Sequence, residues 1–297
     1  MKCFLSYDDA IYYYSHLGCG ILSALGSMLI ILFYILTPRI QIYSYKLVAF
    51  LAFSQLLSSI DFIFPKSLVQ NTQVGCIFIG FIVNTGQITS ILWMASIAVT
   101  LYQVIFHSIV MYEKYEKYWF IGSWILVPIL NCIPIFTNSF KPVGSTCTYN
   151  VDTIGNIERI CIFFIPIWTF LLLTLYCYWK ILTQAKINNE VSKHSIIIKR
   201  LMYYPCIMAF NAVILTVTRF LPFIISNCEE MFVEFVLYTF IALNGFLNFI
   251  LFLLTPTVRM ILFGGSGGRI SCTEDASDGS TLNLLLDDTL RRQSATK

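Results

Sequence analysis

Charge is what this chain has least of. Asp, Glu, Lys and Arg make up 12% of its 297 residues, while 57% are hydrophobic. A soluble domain carries about twice that share of charge, so a soluble fold is excluded. Histidine is scarcer still. His16, His107 and His194 fall at three different depths of the chain's plan and cannot share a metal. There is no HExxH, no Gly-rich phosphate loop and no paired carboxylate inside an apolar stretch, and the internal repeat of many transporters is missing. These absences exclude the common enzyme classes, so neither an enzyme nor a cofactor or metal is expected. The net charge of +3 gives no case for nucleic acid; beside an inner leaflet each basic residue is worth about 1 kcal/mol of anchoring to anionic lipid.

What the chain has instead is apolar length. A bilayer core about 30 Å thick needs roughly 20 apolar residues at about 1.5 Å rise each. Seven stretches answer to it: Tyr12 to Leu36, Leu47 to Phe64, Cys76 to Phe106, Trp119 to Phe136, Ile157 to Leu182, Arg200 to Ile225 and Phe232 to Leu254. None shows the two-residue alternation of a barrel strand, and a spanning backbone must bond to itself, so the spans are helices. The expected fold class is an all-α integral membrane protein, a seven-transmembrane-helix bundle. The first stretch is too long for a signal h-region and runs into Thr37, Pro38 and Arg39 with no small-residue cleavage site, so it reads as a retained helix.

Lys and Arg set the orientation. With the N-terminus outside, the inner segments hold Arg39, Lys46, Lys114, Lys117, Lys180, Lys186, Lys193, Lys199, Arg200 and Arg259, and the tail adds Arg269, Arg291, Arg292 and Lys297. The outer side keeps Lys2, Lys66, Lys141, Arg159 and Arg219. The C-terminus is therefore expected in the cytoplasm. Residues 1 to 263 form the bundle domain. From Gly264 to Lys297 the composition turns to Gly, Ser, Asp and Thr, which builds no core, and a disordered cytoplasmic tail is expected. Its Ser271, Thr273, Ser277, Ser280 and Thr281 lie among acids and are either phosphorylation sites or a solvated stretch.

Ten cysteines divide by compartment. Cys19, Cys132, Cys161, Cys177 and Cys206 lie inside helices and read as small hydrophobes. Cys272 is in the tail. Cys3, Cys76, Cys147 and Cys228 face the oxidising side. Cys76 opens the third helix and Cys147 sits in the middle of the second outer loop, so a bridge between them would pin that loop over the bundle mouth. Cys3 with Cys228 is a second pairing that spacing alone leaves open.

Polar residues at helical spacing mark the interior. Asn84, Gln87 and Ser90 share one face of the third helix, and Asn244 and Asn248 are i, i+4 on the seventh. They either bond between helices, for about 0.6 to 2 kcal/mol each, or line a pocket. Pro205 and Pro222 are expected to kink the sixth helix.

The third helix reads Cys76-IFIGF and then IVNTGQITSILWMASIAVTLYQ. With Gly80, Phe81, Trp93, Ile97, Ala98, Leu101 and Tyr102 in those places, it resembles the cyclic-AMP-receptor-like family of G-protein-coupled receptors. FLAFSQLLSSI in the second stretch, KRLMYYP at Lys199 to Pro205 and LNGFLNFI at Leu243 to Ile250 are similar to the same family, so the resemblance covers nearly the whole bundle. It departs at Gln55, where the family tends to carry an acid. The third helix ends without Asp-Arg-Tyr, the seventh has no Asn-Pro-x-x-Tyr, and no lysine for a retinal Schiff base stands between Phe232 and Leu254, which sets the chain apart from the rhodopsin-like class.

The resemblance implies a receptor that binds an extracellular small molecule in the outer half of the bundle and activates a heterotrimeric G protein at the cytoplasmic face. Ionisable and polar groups of the outer half are the ligand-binding candidates: Arg219, Asp61, Arg159, Gln87, Asn84 and Lys66, with Lys141 beside them. A guanidinium suits a phosphate, so a cyclic nucleotide is one candidate ligand, although Glu229, Glu230 and Glu234 near Arg219 oppose an anion. Arg219 might equally pair with those acids or reach the headgroups. Tyr102, His107, Lys199 and Arg200 are the expected G-protein-coupling residues. The alternatives are a seven-helix transporter or channel and a membrane signalling protein that works without a G protein. A multi-pass location, in the plasma membrane, is expected.

Overall fold

The structure, a computed structural model, describes residues 9–41, 43–64, 72–107, 112–143, 146–150, 152–187, 203–220 and 229–263. Its described residues form a bundle of long helices. α1 is Asp9–Leu36, α2 Tyr43–Ile63 and α3 Gln73–His107, with a single 3-10 turn, Pro38–Ile40, between the first two. α4 runs through Tyr112–Ile121, Gly122–Leu126 and Val127–Phe136, and α5 through Thr153–Glu158, Arg159–Phe164 and Ile165–Ile187. α6 is described over Tyr203–Phe220, α7 over Glu229–Ala242 and Asn244–Leu253, and a short α8, Pro256–Phe263, follows.

Five of these helices are long and apolar enough to cross a bilayer, and α7 becomes a sixth when its two halves, bent by 45°, are taken together. α6 contributes a shorter apolar run, Ala209–Thr218. The chain is a multi-pass membrane protein, and the seven-helix expectation holds. Several helices outrun their apolar windows by a turn or so, because polar residues such as Gln73 and Tyr112 keep the helical bonding where the chain leaves the hydrocarbon.

α3 is buried over much of its length, its polar Asn84, Thr85, Thr89, Ser90 and Ser96 included, so it forms the centre of the bundle. Trp93, fully buried, stacks on Phe50 of α2 with ring centroids 4.5 Å apart at the centre of the core. The outward faces are as apolar as the core, with Leu22, Leu25, Leu32, Ile129 and Leu172 exposed to what would be lipid.

Both α4 and α5 pass through a turn of π geometry. The amide of Val127 reaches back five residues to Gly122 O, and that of Ile165 to Ile160 O. In each helix a proline, Pro128 or Pro166, follows two residues after the wide turn. A proline donates no hydrogen bond and its ring crowds the carbonyl four residues back, and slipping into the wider register removes both conflicts. Pro205 falls in the first described turn of α6. Pro222 lies outside the described residues.

The second outer connection is a β-hairpin. β1, Phe140–Val143, pairs antiparallel with β2, Thr146–Tyr149, in the register Phe140 with Tyr149 and Pro142 with Cys147. Cys147 is bonded to Cys76 across 71 residues of chain, their Cα atoms 5.3 Å apart. Asp152 then caps α5 by accepting from the Gly155 amide at 2.7 Å. That bond holds its carboxyl below the ordinary range against an opposing effect of desolvation, with smaller help from the Asn150 amide and the Lys141 charge. A depressed pKa means the cap is present above the unfolded value near about 3.9 and is lost as pH falls through the lower folded value. Protection of the Gly155 amide, corrected for intrinsic exchange, should therefore be flat from pH 7 to about 4 and drop below it; a drop already at pH 6 would contradict the cap.

Candidate functional site

The helices leave a cavity of about 40 Å³ where α1, α2, α3, α6 and α7 converge, its surface mostly apolar but edged by hydroxyls and amides. Ser23, Gln55, Ser59, Gln87, Asn211 and Asn244 are among its lining residues. Close approach of the backbones makes it. A Cβ on Gly86 would stand 2.8 Å from Ser54 O and 2.9 Å from Ser58 N, so α3 lies directly against α2. A Cβ on Gly245 would stand 2.4 Å from Ser27 Oγ and 2.6 Å from Ser23 Oγ, so α7 lies directly against α1. Small residues at such crossings are how membrane helices pack closely.

The bend in α7 is part of the same site. Between Ala242 and Asn244 the helix turns by 45°, and the freed amide of Gly245 donates to Ser23 Oγ of α1 at 2.9 Å. Asn244 Oδ1 accepts from Asn211 Nδ2 of α6 at 2.8 Å and from Asn248 Nδ2 at 3.4 Å. One amide thus ties α6 to the second half of α7, just past the bend. Gln55 is buried, and neither of its amide atoms has a hydrogen-bond partner among the described residues; the same holds for Asn211 Oδ1 and Asn248 Oδ1. Buried amides left unbonded cost about 1 to 3 kcal/mol each. A volume of 40 Å³ accommodates about two or three waters or one small polar group, which is the chemistry that answers these atoms. No carboxylate lines the cavity among the described residues.

Of the expected ligand residues, Gln87 lines this cavity and Ser90 beside it does too. Asn84 is buried but turns its amide to Gly80 O of its own helix, 2.7 Å away. Asp61 is half-buried in the last turn of α2, next to Phe62, whose ring lies against the buried His16 imidazole. Arg159 belongs to the hairpin end of α5, where Nη2 donates to Tyr149 O at 2.7 Å and to Asn150 O at 3.3 Å. Its guanidinium therefore holds β2 onto α5. Lys141 is exposed on β1. Arg219 is in the last described turn of α6, but its side chain and all of Lys66 lie outside the described residues.

At the end opposite the hairpin, Tyr102 stacks on Phe106 with centroids 4.6 Å apart and packs on Cys177 and Tyr178 of α5. His107 closes α3, with its side chain outside the described residues, as are Lys199 and Arg200 entirely. Lys46 of α2 is ion-paired with Glu116 of α4 at this end. Cys19, Cys132, Cys161, Cys177 and Cys206 are unbridged and lie in helices as expected, while Cys3, Cys228 and Cys272 are outside the described residues.

Sequence reasoning missed Ser23, Asn211 and Gly245 as parts of the site, and Glu158, buried at the hairpin end of α5 with Oε2 unbonded among the described residues. The signal was available for Asn211 and Glu158, since an amide or carboxylate inside an apolar stretch is expensive and marks a function by default.

The class defined here is a seven-helix membrane bundle with a disulfide-anchored hairpin at one end and a polar core joining α6 to a bent α7. No protein-family model matches the chain. Over 257 residues it is 24% identical to "G-protein coupled receptor 1" of Arabidopsis thaliana, a similarity that spans 82% of this chain and 77% of that protein. Among solved structures it is similar to squid rhodopsin, with a TM-score of 0.67, 19% identity and 93% of each chain covered. At that identity the likeness to squid rhodopsin is one of fold. Neither similarity singles out the cyclic-AMP-receptor-like branch.

Proposed function

We propose that this protein is a G-protein-coupled receptor of the plasma membrane, with its N-terminus and hairpin outside and its C-terminal tail in the cytoplasm. The observation that carries the reading is the polar core. A ligand acting from the outer half needs a way to bias the inner ends of α6 and α7. The Asn211–Asn244 bond, the bend at Leu243 and the Gly245–Ser23 bond join those helices to α1 across a cavity that holds unbonded amides. A set of polar contacts with more than one good arrangement is a two-state element, and a ligand shifts it by its differential affinity for the two states. The similarity to a plant G-protein-coupled receptor over most of the chain supports the same reading, and the disulfide at the hairpin end supports that end being the oxidising side.

Tyr102, His107, Lys199 and Arg200 form the coupling surface in this reading. Neutralising Lys199 and Arg200 together is expected to cut agonist-driven nucleotide exchange on Gα severalfold without moving agonist affinity in the uncoupled state. Undiminished exchange would assign them to topology alone.

The finer proposal is the cyclic-AMP-receptor-like branch, with a phosphate-bearing ligand held by Arg219 and Lys66 near Asp61, Asn84 and Gln87. Arg159 can join only if it loosens its hold on Tyr149 O. Arg219→Ala is expected to abolish the response to cyclic AMP at unchanged surface expression, and a normal dose response in that variant would remove the ligand assignment.

A further inference from the structure

We propose that Glu158 is the anchor for a primary amine, so that the outer half of the bundle takes a small molecule in which an ammonium is joined to an apolar body. This deepens the receptor reading by naming a ligand class, and needs only the binding part of that reading. The first turns of α5 divide by face. Ile154, Ile157, Ile160 and Ile165 are exposed toward what would be lipid, while Gly155, Glu158 and Ile162, at helical spacing, are buried and face the bundle. Glu158 is 8% exposed. It lies about 8 Å along the helix from Thr153, on the bundle side of the turn that Arg159 ties to β2.

The carboxylate selects the occupant. Glu158 Oε2 makes no hydrogen bond among the described residues, and no lysine or arginine among them is ion-paired with Glu158; the pair found there, Lys46 with Glu116, is at the far end of the bundle. An ionised carboxylate taken out of water without a partner is costly, and a group that brings its own positive charge and N–H donors answers it. The chain's own cations nearby are placed for other contacts. Arg159 turns Nη2 to Tyr149 O and Asn150 O. The bond from Trp168 Nε1 to Thr216 Oγ1, at 3.2 Å, fixes the antiparallel register of α5 and α6 and sets Arg219 opposite Ile165, about 10 Å along α5 from Glu158. The amine site is therefore separate from the phosphate site proposed around Arg219. Glu229, Glu230 and Glu234 open α7 at the same end, and a field of that sign draws cations in. One turn further along α5, Ile162, Phe163 and Phe164 are buried. A polyamine would bring a second ammonium to that apolar stretch, whereas an arylalkylamine would bring a ring.

Tyramine is the probe, and tyrosol, which has a hydroxyl in place of the ammonium, is its neutral control. The full chain is placed in phosphatidylcholine nanodiscs and its thermal unfolding followed as each is titrated, a reading that needs no G protein. Tyramine is expected to raise the unfolding temperature saturably, and tyrosol to leave it unchanged. Glu158→Gln keeps the size of the side chain and removes its charge. It is expected to shift the tyramine response to concentrations at least about tenfold higher, while melting no lower than the unsubstituted chain because an unpartnered charge is gone. Should Glu158→Gln fail to fold, Glu158→Asp, which keeps the charge and draws it back by one methylene, is expected to weaken tyramine severalfold. The proposal is overturned by the absence of a saturable tyramine shift, by an equal shift with tyrosol, or by a tyramine shift that survives Glu158→Gln undiminished. A tyramine shift lost in Glu158→Gln, without G-protein activation by any agonist, would uphold the amine site and remove the receptor reading, so the two fail separately.

Discussion

Gly245→Val is expected to abolish folded protein, while Gly18→Val leaves expression and thermal unfolding unchanged. At position 245 even a Cβ would stand 2.4 Å from Ser27 Oγ, 2.6 Å from Ser23 Oγ and 2.7 Å from Ser23 O. The two hydroxyls can rotate away, but the carbonyl belongs to the backbone of α1, so α7 must move as a body. Overpacking of a close contact costs about 1 to 3 kcal/mol when neighbours can adjust, and here they cannot. The displacement also takes the Gly245 amide from Ser23 Oγ, leaving a buried donor unbonded for a further cost of about 1 to 3 kcal/mol. Gly18 sits on the same α1 with nothing within 4 Å of a Cβ, so the same chemical change there meets open space. Size-exclusion profiles and melting of the detergent-solubilised variants read the contrast; a well-behaved Gly245→Val protein would mean that α1 and α7 are not in contact.

Cys76→Ser and Cys147→Ser are each expected to destabilise the hairpin end strongly, and the double variant no more than either alone. Opening a 71-residue loop releases about 4 kcal/mol of chain entropy in the loop-closure account, within a usual loss of about 2 to 5 kcal/mol for native bridges. Both cysteines are buried against Ile79 and Val83, and Gly80 lets the Phe140 ring lie close on α3, so the bridge locks a contact that packing already favours. Strict non-additivity follows because the two variants remove one and the same bond. A double variant that loses twice as much would indicate that each thiol has a separate role.

The helices were legible because a bilayer demands length and internal bonding together, and few sequences answer that demand by accident. The windows fell short at the ends, where Gln73 or Tyr112 continues a helix that hydropathy alone would stop. The π turns were not legible in this way, since hydropathy is blind to register; Pro128 and Pro166 were their only trace in the sequence. The hairpin escaped because each strand is four residues long and the loop was read by its cysteine alone, although Gly144-Ser145 stands between Val143 and Thr146 where a tight turn belongs.

Within the site, Gln87 and Ser90, which spacing puts on one interior face and leaves open between bonding and lining, line the cavity, and Asn244 bonds between helices. Asn84, on the same stripe, turns its amide to a carbonyl one turn back on its own helix, a choice that periodicity does not reveal. Arg159 shows the same limit for charge. Its position near the mouth suggested a ligand, and the geometry gives its Nη2 to two carbonyls after β2 has folded onto α5. Contacts that depend on the path of a loop are set by tertiary structure and leave little mark on local pattern.

The most direct test of the receptor reading is GTPγS exchange on a panel of Gα subunits in membranes holding the full chain, with cyclic AMP and other nucleotides as trial agonists. The account predicts exchange above that of membranes lacking the protein on at least one subunit, and loss of that exchange when Lys199 and Arg200 are neutralised. Exchange no higher than the empty membrane with every subunit and agonist, at confirmed surface expression, would contradict it.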